Sequence, residues 1–283
     1  MTGSHGFVGT NLVDALSSEH EIIRWDVRSD EALPECDAVI HLAGKAHDTK
    51  NVSREEEYYE VNTELTKKIY DSFLKSAAKK FIFFSSIKAQ DGDTAYARSK
   101  KAAEDYIIDK VHDSGFMVHG SKLVYILRPC MIHGKGVKGN LPLLFKFVER
   151  GLPWPLAAFE NQRSYASMGN VSFVVSELLT NDVESGIYNI CDDEAVSTNE
   201  VIKLICKCLG NKNHLWRIPQ GLMKSVAKVG DILHLPVNSE RLGKLTENYI
   251  VSNREIKIAL GIDRMPIETK DGLRESIGYL IKD

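Results

Sequence analysis

The sequence has few of the features that mark membrane, secreted or nucleic-acid-binding proteins. In its 283 residues no apolar run approaches the length of a bilayer span, and the N-terminus has no signal-peptide pattern. The net charge of -3 comes without a cationic stripe, which argues against nucleic acid as a partner. The five cysteines are scattered, and Cys206 and Cys208 have no second ligand pair, so we predict reduced thiols and no metal site. We therefore expect a cytoplasmic protein without membrane insertion.

What the sequence does contain is an alternation of strand-like and helix-like segments in its first half. Nearly continuous apolar runs predict strands of a parallel sheet that is covered on both faces. These runs are Glu21–Val27, Asp37–Ala43, Phe81–Ile87 and Leu123–Arg128. Apolar stripes predict two helices, Asn62–Lys79 (Leu65, Ile69, Phe73, Ala77) and Thr94–His112 (Ala103, Tyr106, Ile107, Val111). The alternation predicts a doubly wound α/β domain.

The second half of the chain follows a different pattern from about Gly139 onward. Three prolines cluster there, and strand-like runs become fewer. A helix is predicted over Ser197–Leu209, because Ser197 and Glu200 form a capping box and Gly210 ends the pattern. Its predicted buried stripe is Val201, Leu204, Ile205, Cys208 and Leu209. These features predict a smaller, mainly helical second domain.

A glycine-rich loop precedes an amphipathic helix that carries Leu12, Val13 and Leu16. The loop reads Thr2-Gly3-Ser4-His5-Gly6-Phe7-Val8-Gly9. Glycines at this spacing let the backbone approach a pyrophosphate, which the helix N-terminus then binds. Asp26, at the end of the next predicted strand, suits the ribose hydroxyls of NAD and would repel the 2′-phosphate of NADP. Arg28 offers a phosphate partner, so NADP stays open, and a plain loop and a solvated aspartate are the alternatives.

A second group of polar residues has the spacing of a proton-transfer site. Ser85 and Ser86 end a predicted strand, and Tyr96 and Lys100 follow at i and i+4 on one face of a helix. A nearby ammonium stabilises a phenolate, so we expect Lys100 to lower the pKa of Tyr96. Tyr96 would then act as a general acid or base near neutral pH.

The order of TGSHGFVG, the strand ending in two serines, and YARSK resembles the extended short-chain dehydrogenase/reductases of the NAD-dependent epimerase/dehydratase family. The resemblance implies a Rossmann-like dinucleotide-binding domain over 1–138 and a mainly substrate-binding domain over 139–283, although the boundary is approximate and the chain can cross back. It implies that Ser86, rather than Ser85, holds the reacting oxygen, and that Lys100 also contacts the nicotinamide ribose. It further places against the cofactor Leu42, Ala43 and Gly44 of the HLAG segment. Asn62 matches a structural asparagine near the active site, and a helix N-cap is the alternative for it.

The substrate half carries further matches to the family. Asn140 in GNLP and Arg163 in QRSY match positions that bind the nucleotide diphosphate, and a surface location is the alternative for each. Three segments, LRPCMIHGKGVKGNLP, ERGLPWPL and NQRSY, resemble bacterial polysaccharide-pathway enzymes that reduce a UDP-4-keto-6-deoxy-HexNAc. Two departures from the family narrow the reaction class. Ile87 and Lys88 replace the Asp-Glu pair of the 4,6-dehydratases, so the acid and base for water elimination are missing and we expect no 4,6-dehydratase. Met131 replaces the asparagine of the hexose 4-epimerases, which argues against a standard 4-epimerase.

We therefore expect an NAD(P)-dependent oxidoreductase that acts at C4 of a UDP-sugar, as a 4-epimerase or a 4-ketoreductase. A homodimer is an assembly that the resemblance allows. The rival interpretation is a non-catalytic Rossmann-fold redox sensor or interaction protein, against which the complete Ser/Tyr/Lys set argues. In the family a first apolar strand precedes the glycine loop, whereas Met1 stands directly before Thr2 here. We expect the natural protein to begin a few residues earlier, and the glycine loop to be poorly anchored without that strand.

Overall fold

The computed structural model describes residues 1–27, 32–45, 54–113, 122–212, 214–233 and 238–282. Its helices are α1 Phe7–Leu16, α2 Glu55–Tyr58, α3 Leu65–Lys75, α4 Lys88–Asp91, α5 Ala95–Asp113, α6 Asn140–Glu149, α7 Met168–Thr180, α8 Thr198–Leu209, α9 Gln220–Ile232, α10 Ser239–Thr246, α11 Arg254–Leu260 and α12 Thr269–Lys282, with a π-helical turn at Tyr59–Glu64. Its strands are β1 Ala38–His41, β2 Lys80–Phe84, β3 Leu123–Pro129, β4 Met131–His133, β5 Tyr165–Ser167 and β6 Gly186–Ile190. Within these ranges, none of the helices combines the length and the apolar character that crossing a membrane requires.

The main sheet is parallel and has the strand order β1-β2-β3-β6. Phe81, Ile82 and Phe83 of β2 have no exposed surface, which is why this strand reads as an unbroken apolar run. Helices α3 and α5 contribute to the same core, through Phe73 and Ile107 among others. The predicted parallel α/β fold is confirmed.

The prediction of a strand over Glu21–Val27 is wrong. Residues 21–26 form no strand and belong to neither sheet. A ladder needs a partner strand, and this segment's bonds to neighbouring backbone are made with Met1 alone among the described residues. Met1 accepts a hydrogen bond from Trp25 N (3.0 Å) and donates one from its terminal ammonium to Ile23 O (2.7 Å). On its other side, Thr2 N donates to Ile40 O at 3.0 Å, which places these two residues beside β1.

The predicted helix Asn62–Lys79 has different bounds in the structure. The helical path starts at Glu55, passes through the π-helical turn and ends at Lys75. Ile69 and Phe73 are buried as predicted, but Ala77 lies beyond the end of the helix and is exposed. The helix ends because Ser76 turns to extended backbone while both its N–H and its hydroxyl donate to Phe73 O.

The described chain forms two compact units. The first contains Met1–Cys130, Asn170–Ile190 and Ser252–Arg264, and the second contains Met131–Gly169, Cys191–Val251 and Met265–Asp283. Two segments that follow residue 139 therefore belong to the first unit. In the second unit β4 and β5 form a short parallel pair.

The predicted ends of helix α8, in the second unit, are confirmed by the structure. Ser197 and Glu200 make both bonds of the capping box, and Gly210 closes the helix at φ 68°. The buried face differs in part from the predicted stripe. Val201 and Ile205 are buried as predicted, and Ile202 and Cys206 join them. Leu204, Cys208 and Leu209 are only half-buried, because α8 packs between α6 and α12 and so turns a different edge inward.

Candidate active site

The glycine loop forms a cradle that side chains would fill. Gly3 has a φ of 64°, and a Cβ atom on it would lie 2.7 Å from Ala43 N. A Cβ atom on Gly9 would lie 2.3 Å from Gly3 O. Gly6 is the N-cap of α1, so Phe7, Val8 and Gly9 form the first turn, whose N–H groups have no acceptor inside the helix. Such donors at the positive end of a helix dipole suit a phosphate.

Hydrogen bonds made by the Thr2 hydroxyl group anchor this loop to the end of β1. The hydroxyl oxygen of Thr2 accepts from Leu42 N and Ala43 N, both at 3.1 Å, and bonds to His41 Nδ1 at 2.8 Å. His41 Nε2 bonds to the Thr66 hydroxyl at 2.9 Å. Burial, helped by the charge of Lys100, lowers the pKa of His41 to about 3, so the ring is neutral. The expectation of a poorly anchored glycine loop is therefore wrong, and the histidine of the HLAG segment was the visible signal of these anchors.

Asn62 fastens the HLAG segment to helix α5. It is fully buried, accepts from Lys45 N (2.8 Å), and donates to Lys45 O (3.2 Å) and to the Ser99 hydroxyl (3.0 Å). The alternative of a helix N-cap is wrong, because Asn62 lies inside the π-helical turn. A Cβ atom on Gly44 would lie 2.9 Å from Asn62 Oδ1 and 3.1 Å from Lys100 Nζ, so a side chain here would displace the side chains of Asn62 and Lys100.

Ser86, Tyr96 and Lys100 all lie in the first unit, on or beside α5 and the end of β2. The pKa of Tyr96 is raised above its ordinary value, mainly because the phenol is buried. The hydrogen bond with the Ser86 hydroxyl lowers this pKa in part, and the nearby Tyr58 raises it further. The predicted effect of Lys100 on the pKa of Tyr96 is absent, because the ammonium group is engaged elsewhere. Lys100 Nζ donates to Phe84 O at 2.9 Å and lies 4.9 Å from the ring centre of Phe83. Burial lowers the pKa of Lys100 to about 8, against the opposing charge of Glu104.

Glu104 and Arg128 support this set, although no sequence motif singled out either residue. Glu104 has no exposed surface and forms a two-pronged ion pair with Arg128, whose Nε lies 2.9 Å from Oε1. The same carboxylate accepts the Ser85 hydroxyl at 2.5 Å. Because Glu104 stands one helical turn after Lys100, these bonds fix α5 against the ends of β2 and β3. Ser85 is thus a structural residue, in line with the choice of Ser86 for the reacting oxygen.

The remaining predicted site residues differ widely in exposure. Asp26 is exposed, and Arg28 lies outside the described residues. Asn140 and Arg163 belong to the second unit, and Asn140 is an exposed first residue of α6. Arg163 is buried, donates from Nη1 to Lys244 O, and donates from Nη2 to Met131 Sδ at 3.8 Å. Its Nε has no hydrogen-bond partner among the described residues.

A parallel α/β sheet with a glycine cradle at a helix N-terminus and a Ser-Tyr-Lys set defines the class of dinucleotide-dependent α/β enzymes. Within that class, this chain belongs to the NAD dependent epimerase/dehydratase family, whose model matches residues 1–191. The predicted family is therefore confirmed.

Individual relatives are similar over most of their length. A UDP-glucose 4-epimerase of Vibrio cholerae is 30% identical over 261 residues, which cover 77% of each chain. An N-acetyl-alpha-D-glucosaminyl-diphospho-ditrans,octacis-undecaprenol 4-epimerase of Escherichia coli O157:H7 is 25% identical, over 91% of this chain and 83% of the relative. The solved UDP-N-acetylglucosamine 4-epimerase of Bacillus cereus superposes with a TM-score of 0.74 at 19% identity, over 99% of this chain and 98% of that one. This last likeness shows a shared fold.

Proposed function

We propose that this protein is an NAD(P)-dependent enzyme that acts at C4 of a UDP-sugar in the synthesis of polysaccharide precursors, and that its reaction is 4-epimerisation. The observation that carries the proposal is the hydrogen bond between Tyr96 and Ser86 beside the buried Lys100. A redox sensor would not need a proton donor paired with a second hydroxyl. The names of both sequence relatives support epimerisation over simple ketone reduction.

The residues of the first unit fit a dinucleotide. The glycine cradle and the first turn of α1 would hold the pyrophosphate, and Leu42, Ala43 and Gly44 would lie along the cofactor. The exposed carboxylate of Asp26 would accept hydrogen bonds from the ribose hydroxyls and repel a 2′-phosphate, which favours NAD over NADP. When bound, NAD supplies a reversible hydride acceptor.

The protein's own residues handle the proton and the orientation. Ser86 would hold the C4 oxygen through its hydroxyl, and Tyr96 would exchange a proton with that oxygen. With its pKa raised by burial, Tyr96 is protonated at neutral pH and therefore ready to donate to a C4 ketone. Removal of a proton from a C4 hydroxyl needs a cation nearby, and Lys100 is the candidate once the ribose draws its ammonium towards the site.

Arg163 would bind the diphosphate of the substrate, with Asn140 as a second donor. Its guanidinium is buried and leaves Nε without a partner among the described residues, an arrangement that an anion would complete. A diphosphate links the sugar to uridine in one relative and to a polyprenol in the other. A polyprenyl-diphosphate-linked sugar is therefore a second candidate substrate.

The test presents UDP-hexoses, their N-acetyl forms and a polyprenyl-diphosphate-linked N-acetylhexosamine to the purified enzyme with catalytic NAD. We expect the C4 epimer of one of these sugars to form without net change in reduced-nicotinamide absorbance. Net consumption of NADH or NADPH with a 4-keto-sugar would instead establish a ketoreductase. Cofactor binding without turnover of any of these sugars would favour the redox-sensor interpretation.

A homodimer and a cytoplasmic location stay proposals, which analytical sedimentation and cell fractionation test.

A further inference from the structure

Helix α9 of the second unit exposes an apolar stripe along its whole length. The stripe follows the spacing of one helix face, with intervals of four, three and four residues. It consists of Leu222, Val226, Val229 and Leu233, which are 56%, 46%, 51% and 61% exposed. The adjacent face, with Met223, Ala227 and Gly230, is buried. An ordinary surface helix covers its apolar residues against the protein, so this second apolar face calls for a binding partner.

The chain around this stripe is basic, although the protein as a whole carries a net charge of -3. Residues 201–233, which include the whole stripe, contain a single acidic residue, Asp231. They contain six basic residues, Lys203, Lys207, Lys212, Arg217, Lys224 and Lys228. Lys224 and Lys228 of α9 are exposed and form no ion pair within the part of the chain that the structure describes. Trp216 is 56% exposed and stands just before the helix, next to the exposed Arg217.

We propose that Trp216, Arg217 and helix α9 form a docking face for the surface of an anionic phospholipid membrane. Helices that lie in a membrane interface combine an exposed aliphatic face with lysines on the other side, and they bind anionic lipid through both. Tryptophan prefers the headgroup level, where its ring is buried and its N–H stays hydrated. The docking is peripheral, since a helix of 13 residues is too short to span the bilayer.

The basic charge of the segment argues for a membrane over a second copy of this chain. A two-fold dimer through this face would bring the same basic segment of both copies close together, so their net positive charges would repel each other. Anionic headgroups provide the opposite charge instead. The docking face goes beyond the proposed reaction, because chemistry at C4 of a water-soluble UDP-sugar does not require it, whereas the second candidate substrate, a polyprenyl-diphosphate-linked sugar, would itself lie at such a surface.

The experiment is co-sedimentation of the full chain with vesicles of phosphatidylcholine alone or mixed with phosphatidylglycerol. We expect binding to the mixed vesicles that weakens as salt is raised. Leu222→Ser with Val226→Ser should weaken the partition at least about tenfold. Lys224→Gln with Lys228→Gln should weaken it by a smaller factor and flatten the salt dependence. Two matched control variants should bind like the unsubstituted chain. Ile258→Ser with Ile281→Ser is the control for the apolar pair, and Lys68→Gln with Lys75→Gln is the control for the charged pair.

Three results would overturn the proposal. One is the absence of sedimentation with anionic vesicles, and another is equal loss in the α9 variants and their controls. The third is a shift from dimer to monomer in the Leu222/Val226 variant while the unsubstituted chain binds no vesicles. That result would mean that the stripe binds a second copy of this chain. Turnover of a UDP-sugar, measured without vesicles, should be unchanged in every variant. The docking face and the proposed reaction can therefore fail independently.

Discussion

Substitution of Tyr96 tests the proposed proton transfer most directly. Tyr96→Phe removes the phenolic oxygen and leaves the ring in place against Tyr58, so folding and NAD affinity should be unchanged. Turnover should fall by about 10²–10⁴-fold, the usual contribution of a positioned proton donor. Steady-state rates and a cofactor titration measure the two effects. A variant that keeps its rate within about threefold would remove Tyr96 from the proton-transfer step.

Lys100 should cost the protein stability, in a way that depends on pH. Its pKa is about 8 in the folded protein and 10.5 in the unfolded chain, so the unfolded chain binds more protons between these values. The cost is therefore full below about pH 8 and disappears as the pH rises towards 10.5. Lys100→Met should abolish turnover and yet raise the free energy of unfolding at pH 7, by at most roughly 3 kcal/mol.

Urea unfolding of the cofactor-free protein at pH 7 and pH 10 measures this change. The gain from Lys100→Met should shrink at the higher pH, whereas Lys68→Met, which alters an exposed lysine of α3, should change little at either pH. An equal gain at both values would mean that packing, and not the buried charge, causes it.

The sequence could predict the reacting residues but not their supports. Tyr96 and Lys100 lie on one helix, so their spacing alone brings them together. Glu104 shares that spacing, but its partner Arg128 lies on a strand whose register no local pattern fixes. The Lys100 ammonium group likewise points to a partner that no local pattern reveals, the carbonyl oxygen of Phe84. For that reason the expected effect of Lys100 on the pKa of Tyr96 is not found.

At the scale of elements, the packing of α1 on the glycine loop makes Gly9 irreplaceable. A Cβ atom there would also come within 2.6 Å of Ser4 Cα, and these contacts are with backbone that cannot rotate away. Gly9→Ala should therefore abolish NAD binding and lower the melting temperature. Gly221→Ala is the matched control, since Gly221 also lies in the first turn of a helix but has no atom within 4 Å of its Cβ position. Calorimetry and an NAD titration compare the two, and similar behaviour would refute the steric account.

The π-helical turn shows why one helix was predicted with the wrong start. Hydrophobic periodicity assumes 3.6 residues per turn, and a wider turn at Tyr59–Glu64 breaks that count. The break is also what directs Asn62 to Lys45 and Ser99 while Ile69 and Phe73 still face the core. The segment from Glu21 failed for another reason, since a strand depends on its neighbour as much as on its own residues.

For the whole molecule, the division into units predicts that a fragment ending at the sequence-based boundary will not fold. Residues 1–138 lack β6, which pairs with Tyr125–Pro129 of β3, and they lack the fully buried Val174, Val175 and Leu178 of α7. We expect no cooperative transition from this fragment in thermal circular dichroism. A chain that joins 1–130, 170–190 and 252–264 through short linkers should show one. Cooperative unfolding of the shorter fragment would contradict this account.

The interleaved course of the chain also governs how this protein can be recombined with its relatives. A single crossover in the gene cannot exchange one unit, because each unit is assembled from three separate stretches of sequence. If the second unit binds the substrate, as we propose, substrate preference can be transplanted only by moving 131–169, 191–251 and 265–283 together. Recombination between relatives, in nature or in laboratory chimeras, should therefore keep the two units of one parent together more strictly than it would in a gene whose units follow one another in sequence.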